Sequence, residues 1–291
     1  MKICVTSDDT AQFTKEEILD AGNLYIVRVP IIINGEAYFQ NETIDDATFF
    51  KRLASDDDVQ TSQPSPGELM ELWTKLLKEY DAIIHIPLSS GLSEACNSAK
   101  MISQEDEFKG KVFVCDNHRV EPTLRESVRD ALKLIKAGYT PEEIQKELIE
   151  EGPNSSIYLM VDTLKYLKKG GRVTPAAALL GGALHVKPIL AIFGGKLDAY
   201  QKVIGSKKGR KVLIDAIRKD MNEKFKGIDK KDLYFGAAYT NNKEEAEEFI
   251  KEAAKELDVD SFELRPLSLV VSTHTGPGVL ALTLTKKAPI K

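Results

Sequence analysis

Three short turns carry the residues best able to do chemistry: Thr61-Ser62-Gln63-Pro64-Ser65-Pro66, Ser89-Ser90-Gly91-Leu92-Ser93 and His274-Thr275-Gly276-Pro277-Gly278. A hydroxyl can donate one hydrogen bond, a free backbone N–H another, and an imidazole can act near neutral pH as a neutral donor or as a cation. Such groups can hold an anionic head group, carboxylate or phosphate, without a full opposing charge. If the turns converge, they form an anion cradle. A fourth segment, Lys169-Gly170-Gly171-Arg172, pairs two conformationally free glycines with a guanidinium suited to oxyanions. Each feature also has a plain structural reading. Ser90 or Ser93 can cap a helix, Thr61-Ser62 can be an ordinary helix-entry loop, Gly170-Gly171 can end a helix, and His274 can be a solvated loop residue.

Strands and helices must position these turns. Lys2–Val5, Tyr25–Ile33 (ended by Asn34-Gly35), Ala82–Ile86 and Lys111–Cys115 read as strands. Ser65-Pro66-Gly67-Glu68 places Ser at N-cap, Pro at N1 and Glu at N3, and Leu69, Leu72, Trp73, Leu76 and Leu77 follow at helical spacing. Leu92–Ile102 and Thr123–Ala137 read as helices, and Thr140-Pro141-Glu142-Glu143 opens another that runs to about Glu151. Alternation of this kind implies a mainly parallel sheet in an N-terminal α/β layered domain, residues 1–154. Ser89-Ser90-Gly91 then falls beyond the carboxyl end of a strand, where open α/β sheets bind ligands.

Gly152-Pro153-Asn154-Ser155-Ser156 is the candidate boundary. Beyond it, Thr174-Pro175 starts an Ala/Leu-rich helix to about Leu184. Lys187–Phe193 and Lys196–Val203 flank a Gly194-Gly195 hairpin signal, Ser206–Phe225 and Lys243–Leu257 are helical, and Ile157–Val161, Tyr234–Tyr239, Phe262–Leu264 and Val279–Thr285 are strands. Residues 155–291 are therefore expected to form a C-terminal α+β domain.

Bulk properties narrow the function. The 291 residues are 42% hydrophobic and 29% charged with a net charge of -5, which counts against nucleic acid as a partner. Lys207, Lys208, Arg210 and Lys211 form a basic run, but Asp215 and Asp220 follow it and a solvated helix face is expected. Cys4, Cys96 and Cys115 are widely spaced and read as buried thiols, and the four histidines are scattered, so neither disulfide nor metal is expected. No Walker loop, dinucleotide fingerprint or Gly-x-Ser-x-Gly elbow occurs, and no cofactor is expected. With no signal peptide and no transmembrane segment, the reading is a cytoplasmic protein.

In order and spacing the turns resemble the DegV family, whose studied bacterial members are fatty-acid-binding partners of a fatty acid kinase. The matching residues are Thr61-Ser62-Gln63-Pro64-Ser65, Ser89-Ser90-Gly91-Leu92-Ser93, Asp162-Thr163-Leu164-x-Tyr166-Leu167-x-Lys169-Gly170-Gly171-Arg172, Lys187-Pro188-Ile189-Leu190 and His274-x-Gly276-Pro277-Gly278. Together they span nearly the whole chain. The resemblance implies a DegV-like two-domain fold binding one long-chain fatty acid in an apolar tunnel. It carries carboxylate binding to Thr61, Ser62, Ser93 and His274, and the head-group vicinity to Ser90, Gly91, Arg172 and Gly276. It implies a carrier, not an enzyme, that presents the carboxylate to a separate acyl kinase for phosphorylation. A buried acyl chain of about sixteen carbons supplies roughly 10 kcal/mol gross at about 0.8 kcal/mol per methylene, so the hydroxyls set orientation more than affinity. Ala176–Leu184 and Ile189–Phe193 are apolar stretches that could line the tail or belong to the core.

The chain departs from the family pattern at Glu94 and Ala95 after Ser93, at Asn117–Leu124 where the family is Ser- and Gly-rich, and at Ile204 where many members place a kinase-engaging arginine. The alternative reading is a phosphotransfer or acyl-transfer enzyme using Ser93 or His274 directly, which requires a base beside the serine.

Overall fold

The computed structural model describes residues 1–179, 186–193 and 196–290. The backbone forms two compact units: Met1–Pro30 with Ser62–Pro153 and residues 287–291, and Ile31–Thr61 with Asn154–Lys286. The sequence reading draws one line, after residue 154. In the structure the segment Ile31–Thr61 goes with the second unit and the last few residues with the first.

In the first unit four parallel strands lie in the order Leu24–Val27, Ile3–Asp8, Ala82–Ile86, Val112–Val114. Every residue of Ile3–Asp8 and Ala82–Ile86 is buried, as expected of a parallel sheet covered on both faces. One face packs Cys4, Ile83 and Val112 against Leu69, Trp73 and Leu76 of the helix Pro66–Leu76 and against Cys96, Ala99 and Ile102 of Ala95–Ile102. The helices Pro122–Lys136 and Pro141–Glu150 also pack on these strands. The three cysteines are free and buried, and burial lifts the thiols of Cys4 and Cys96 to about 12, too high for a thiolate at neutral pH.

In the second unit six strands lie in the order Lys196–Ile204, Val186–Phe193, Ser155–Met160, Leu280–Lys286, Leu233–Tyr239, Glu263–Pro266. All neighbours are antiparallel except the last pair, which the helix Lys243–Leu257 connects. A core of Leu213, Ile217, Phe225, Phe249, Leu282 and Leu284 joins this sheet to the helices Ser206–Asn222 and Lys243–Leu257. A separate antiparallel sheet has the order Glu36–Tyr38, Ile31–Ile33, Val59–Thr61. The α/β and α+β classes expected for the two parts are both present.

Several elements differ from expectation. Tyr25–Ile33 is two strands, Leu24–Val27 and Ile31–Ile33, in different sheets. Pro30 stands between them and has no N–H to give a ladder. Asn34 and Gly35 both take positive φ, 52° and 88°, as a tight hairpin turn requires. The helix expected from Leu92 begins at Ala95, because Leu92 N–H and Ser93 N–H both close a turn on Ser89 O. Ser65 occupies the N-cap of Pro66–Leu76 but its hydroxyl makes no capping bond. Its ψ is 127°, against 162° and 159° at Thr14 and Thr140, which do cap. The helix from Pro175 is described as far as Ala178, and the remainder of the Ala/Leu-rich stretch, with Gly194-Gly195, lies outside the described residues. His274, expected in a turn, sits in the last turn of a helix, Leu269–Thr275.

Candidate functional site

Thr61 ends the strand Val59–Thr61, and Ile31–Ile33 fixes its register by pairing Thr61 with Ile31. The helix Leu269–Thr275 is held at its start by Ser268, whose hydroxyl accepts from Val271 N–H at 3.1 Å, and by Gln40 Oε1, which accepts from Leu269 N–H at 2.8 Å. It ends at Gly276, where φ is 77° and the N–H returns to Ser272 O at 2.8 Å. Strand end and helix end meet side chain to side chain: Thr61 Oγ1 lies 2.8 Å from His274 Nε2.

Glycines let the segment 162–172 press against this helix end. A Cβ on Gly170 would lie 2.3 Å from His274 Nδ1, one on Gly276 would lie 2.2 Å from the Tyr166 ring, and one on Gly278 would lie 2.4 Å from the Asp162 carboxyl. Asp162, Tyr166 and Gly170 are spaced by four, and they meet Gly278, Gly276 and His274, spaced by two, in reverse order. Asp162 is anchored by Lys187 Nζ at 2.5 Å, and Gly276 O accepts from Thr240 Oγ1 at 3.0 Å. The imidazole is therefore clamped between the Gly170 backbone and the Thr61 hydroxyl.

A cleft of about 190 Å3 opens here, lined by Gln60, Thr61, Tyr166, Lys169, Arg172 and His274 among others. Burial first, and then the nearby Arg172 guanidinium, hold the His274 imidazole down at about 4, so the ring is neutral at physiological pH. Lys169 is paired with Asp58, Nζ to Oδ1 2.8 Å, and also donates to Val59 O at 3.4 Å. Arg172 Nη1 donates to Gly170 O. The cleft thus offers a hydroxyl, a neutral imidazole and cationic side chains, a set suited to one oxyanion.

Of the sequence-derived residues, Thr61, Arg172, His274 and Gly276 fall within the second unit around this cleft. Ser62, Ser90, Gly91 and Ser93 belong to the first unit. Ser62 is exposed and its N–H donates to Pro30 O at 3.0 Å. Ser90, Gly91 and Ser93 follow the carboxyl end of Ala82–Ile86: Ser90 N–H donates to Asp116 Oδ1 at 3.3 Å and Gly91 N–H to Ser89 Oγ at 3.1 Å. Ser93 Oγ accepts from Ala95 N–H at 3.2 Å, leaving its own proton to donate. Glu94 is exposed and accepts from Asn97 Nδ2 at 2.8 Å.

The departing segment Asn117–Leu124 is largely buried, with positive φ at His118 and Glu121. Arg119 is 1% exposed and caps the end of Pro141–Glu150, donating to Glu151 O at 2.5 Å and Gly152 O at 3.4 Å. Its role is structural, and hydropathy gives no signal for a buried guanidinium. Nor does sequence reading single out Asp58, Gln60 or Tyr166 individually. The spacing of Asp162, Tyr166 and Gly170 was the available clue. The tail-lining candidates Ile189, Leu190 and Ala191 are fully buried, and Ile189 and Ala191 belong to the core of the second unit.

The profile of the DegV family, described as uncharacterised proteins, matches residues 2–287. The chain belongs to the DegV family. Protein DegV of Bacillus subtilis is 30% identical over 286 residues, 97% of this chain and 98% of that one. A DegV domain-containing protein of Staphylococcus aureus is 29% identical, covering 98% of this chain and 99% of its own length. Among solved structures, a fatty-acid-binding DegV family protein from Thermus thermophilus superposes with a TM-score of 0.88 at 27% identity, covering 98% of this chain and all of that one. DegV from Bacillus subtilis, described as a fatty acid binding protein, gives 0.82 at 30% identity, with 99% and 100% covered.

Proposed function

We propose that the protein is a fatty-acid carrier without catalytic activity of its own, which binds one long-chain fatty acid and presents its carboxylate to a separate acyl kinase. The observation that carries the reading is the Thr61 Oγ1–His274 Nε2 contact of 2.8 Å inside a cleft edged by Arg172. Fatty-acid binding by DegV relatives of similar fold over the full chain supports it. In this reading Thr61 and His274 hold the carboxylate, and Arg172 and Gly276 shape its surroundings. About 190 Å3 is below the roughly 300–1,000 Å3 of pockets that enclose a whole drug-sized ligand. In this reading the cleft takes the head group, and the acyl tail lies in an apolar tunnel beyond it. Ile204 is exposed and stands where the family resemblance implies a kinase-engaging arginine, so in this reading the kinase contact rests on other residues. Among the described residues no helix is long and apolar enough to cross a membrane, in keeping with a carrier working in the cytoplasm.

Native mass spectrometry of the purified protein, before and after loading with palmitate, tests the reading. One bound fatty acid per chain is expected, and a protein that takes up none under either condition is not a fatty-acid carrier. Thr61→Val should weaken palmitate binding by at least tenfold while leaving binding of the methyl ester within about twofold, because the carboxylate relies most on this donor.

A further inference from the structure

We propose that a second cleft in the second unit binds a small organic cation, an amine carried on a short apolar body. The proposal is independent of the carrier reading. The cleft encloses about 370 Å3 and is lined by Asp46, Phe50, Tyr239, Asn241, Lys243 and Glu244 among others. It shares no lining residue with the Thr61–His274 cleft. Its volume lies inside the roughly 300–1,000 Å3 range of small-ligand pockets. Its place in the fold is one where such sites form. Leu233–Tyr239 and Glu263–Pro266 are the parallel pair of the six-stranded sheet, joined by the helix Lys243–Leu257, and the cleft opens beyond their carboxyl ends, at Tyr239 and Pro266. The rim is held in shape by the fold itself: Leu267 N–H donates to Tyr239 O at 2.8 Å, and Val279 N–H to Thr240 Oγ1 at 2.9 Å.

The lining sets the charge of the occupant. Asp46 and Lys243 open the helices Asp46–Leu53 and Lys243–Leu257, and Glu244 follows Lys243. Lys243 is paired with Glu247, Nζ to Oε1 3.5 Å, and the capping carboxylate of Asp45 is taken by Thr48 N–H at 2.8 Å. Glu245 is taken by Arg210 at 2.7 Å. Asp46, Glu244 and the Tyr239 hydroxyl have no hydrogen bond or ion pair among the described residues. Burial raises the Tyr239 phenol, Lys243 opposes the rise, and Asp46, Glu247 and Glu244 add to it, so these charges all bear on one aromatic ring. An anion is disfavoured, because first-turn carboxylates already complement the positive ends of both helices. A neutral ligand leaves Asp46 and Glu244 without a counter-charge. An ammonium group answers both, and Phe50, Tyr239 and Leu267 offer apolar and cation–π contact to the carbon body.

The test is titration calorimetry of the intact protein at neutral pH with three ligands of one shape: phenethylamine, its neutral N-acetyl derivative, and 3-phenylpropionate, which carries a carboxylate instead. Phenethylamine is expected to bind at about millimolar or tighter, and the other two at least about tenfold more weakly. Asp46→Asn and Glu244→Gln should each weaken phenethylamine by about threefold or more. Both positions are exposed and they lie on different helices, so a variant that loses the wild-type thermal midpoint leaves the other to decide. Saturating palmitate should leave the amine affinity unchanged. No saturable phenethylamine binding in the millimolar range overturns the inference. Equal affinity for the three ligands overturns it, and so does wild-type affinity in a folded variant. Displacement of the amine by palmitate overturns it too, because the amine then sits in the acyl site.

Discussion

At the scale of single residues, the site depends on close approach. Gly170 and His274 are in contact with no room for a methyl group, so Gly170→Ala must push the imidazole away from Thr61. We expect a stability loss of about 1–3 kcal/mol from overpacking, measured by chemical denaturation. Palmitate affinity should also fall, measured on the same preparation. An alanine variant with wild-type palmitate affinity would mean that the imidazole position is not what the head group reads. Residue types were legible in the sequence here: hydroxyls, one histidine and an arginine beside paired glycines. Their pairing was not, because Thr61 and His274 are 213 positions apart and nothing local to either names the other.

At the scale of elements, two helix starts that look alike in sequence behave differently. Thr140 caps Pro141–Glu150 with a reciprocal Glu143 contact, whereas Ser65 stands at the start of Pro66–Leu76 without a capping bond. Thr140→Ala should therefore lower stability by about 1 kcal/mol and Ser65→Ala by much less, read as shifts in thermal midpoint. Equal losses would show that the Ser65 hydroxyl does cap in solution. Strand and helix order in the first unit was legible because burial and caps are local signals. Leu269–Thr275 was missed because the contacts that hold it as a helix, such as Gln40 to Leu269, come from far along the chain. The division of Tyr25–Ile33 between two sheets is equally non-local, although Pro30 marks the break.

Across the whole molecule, charge inside the first unit gives it a characteristic response to pH. Asp130 is buried beside Glu126, is bridged with it by Lys133, and accepts from Ala288 N–H at 2.9 Å. Burial, and then the Glu126 charge, lift its carboxyl to about 6. Its folded value lies above the unfolded one near 4, so the folded state binds the proton more tightly. The resulting stabilisation is present below about pH 4 and lost as pH rises through about 6. Asp130→Asn should flatten the stability profile between about pH 4 and 7 in denaturant titrations, and identical slopes in the two proteins would exclude Asp130 as the titrating group.

The strand Leu280–Lys286 lies in the middle of the six-stranded sheet, between Ser155–Met160 and Leu233–Tyr239, yet in sequence it follows the other five strands of that sheet. Without it, the strands on either side form two half-sheets, Lys196–Ile204 to Ser155–Met160 and Leu233–Tyr239 with Glu263–Pro266, that nothing joins. A stop codon that removes this strand would cost the protein the centre of a sheet rather than a dispensable tail.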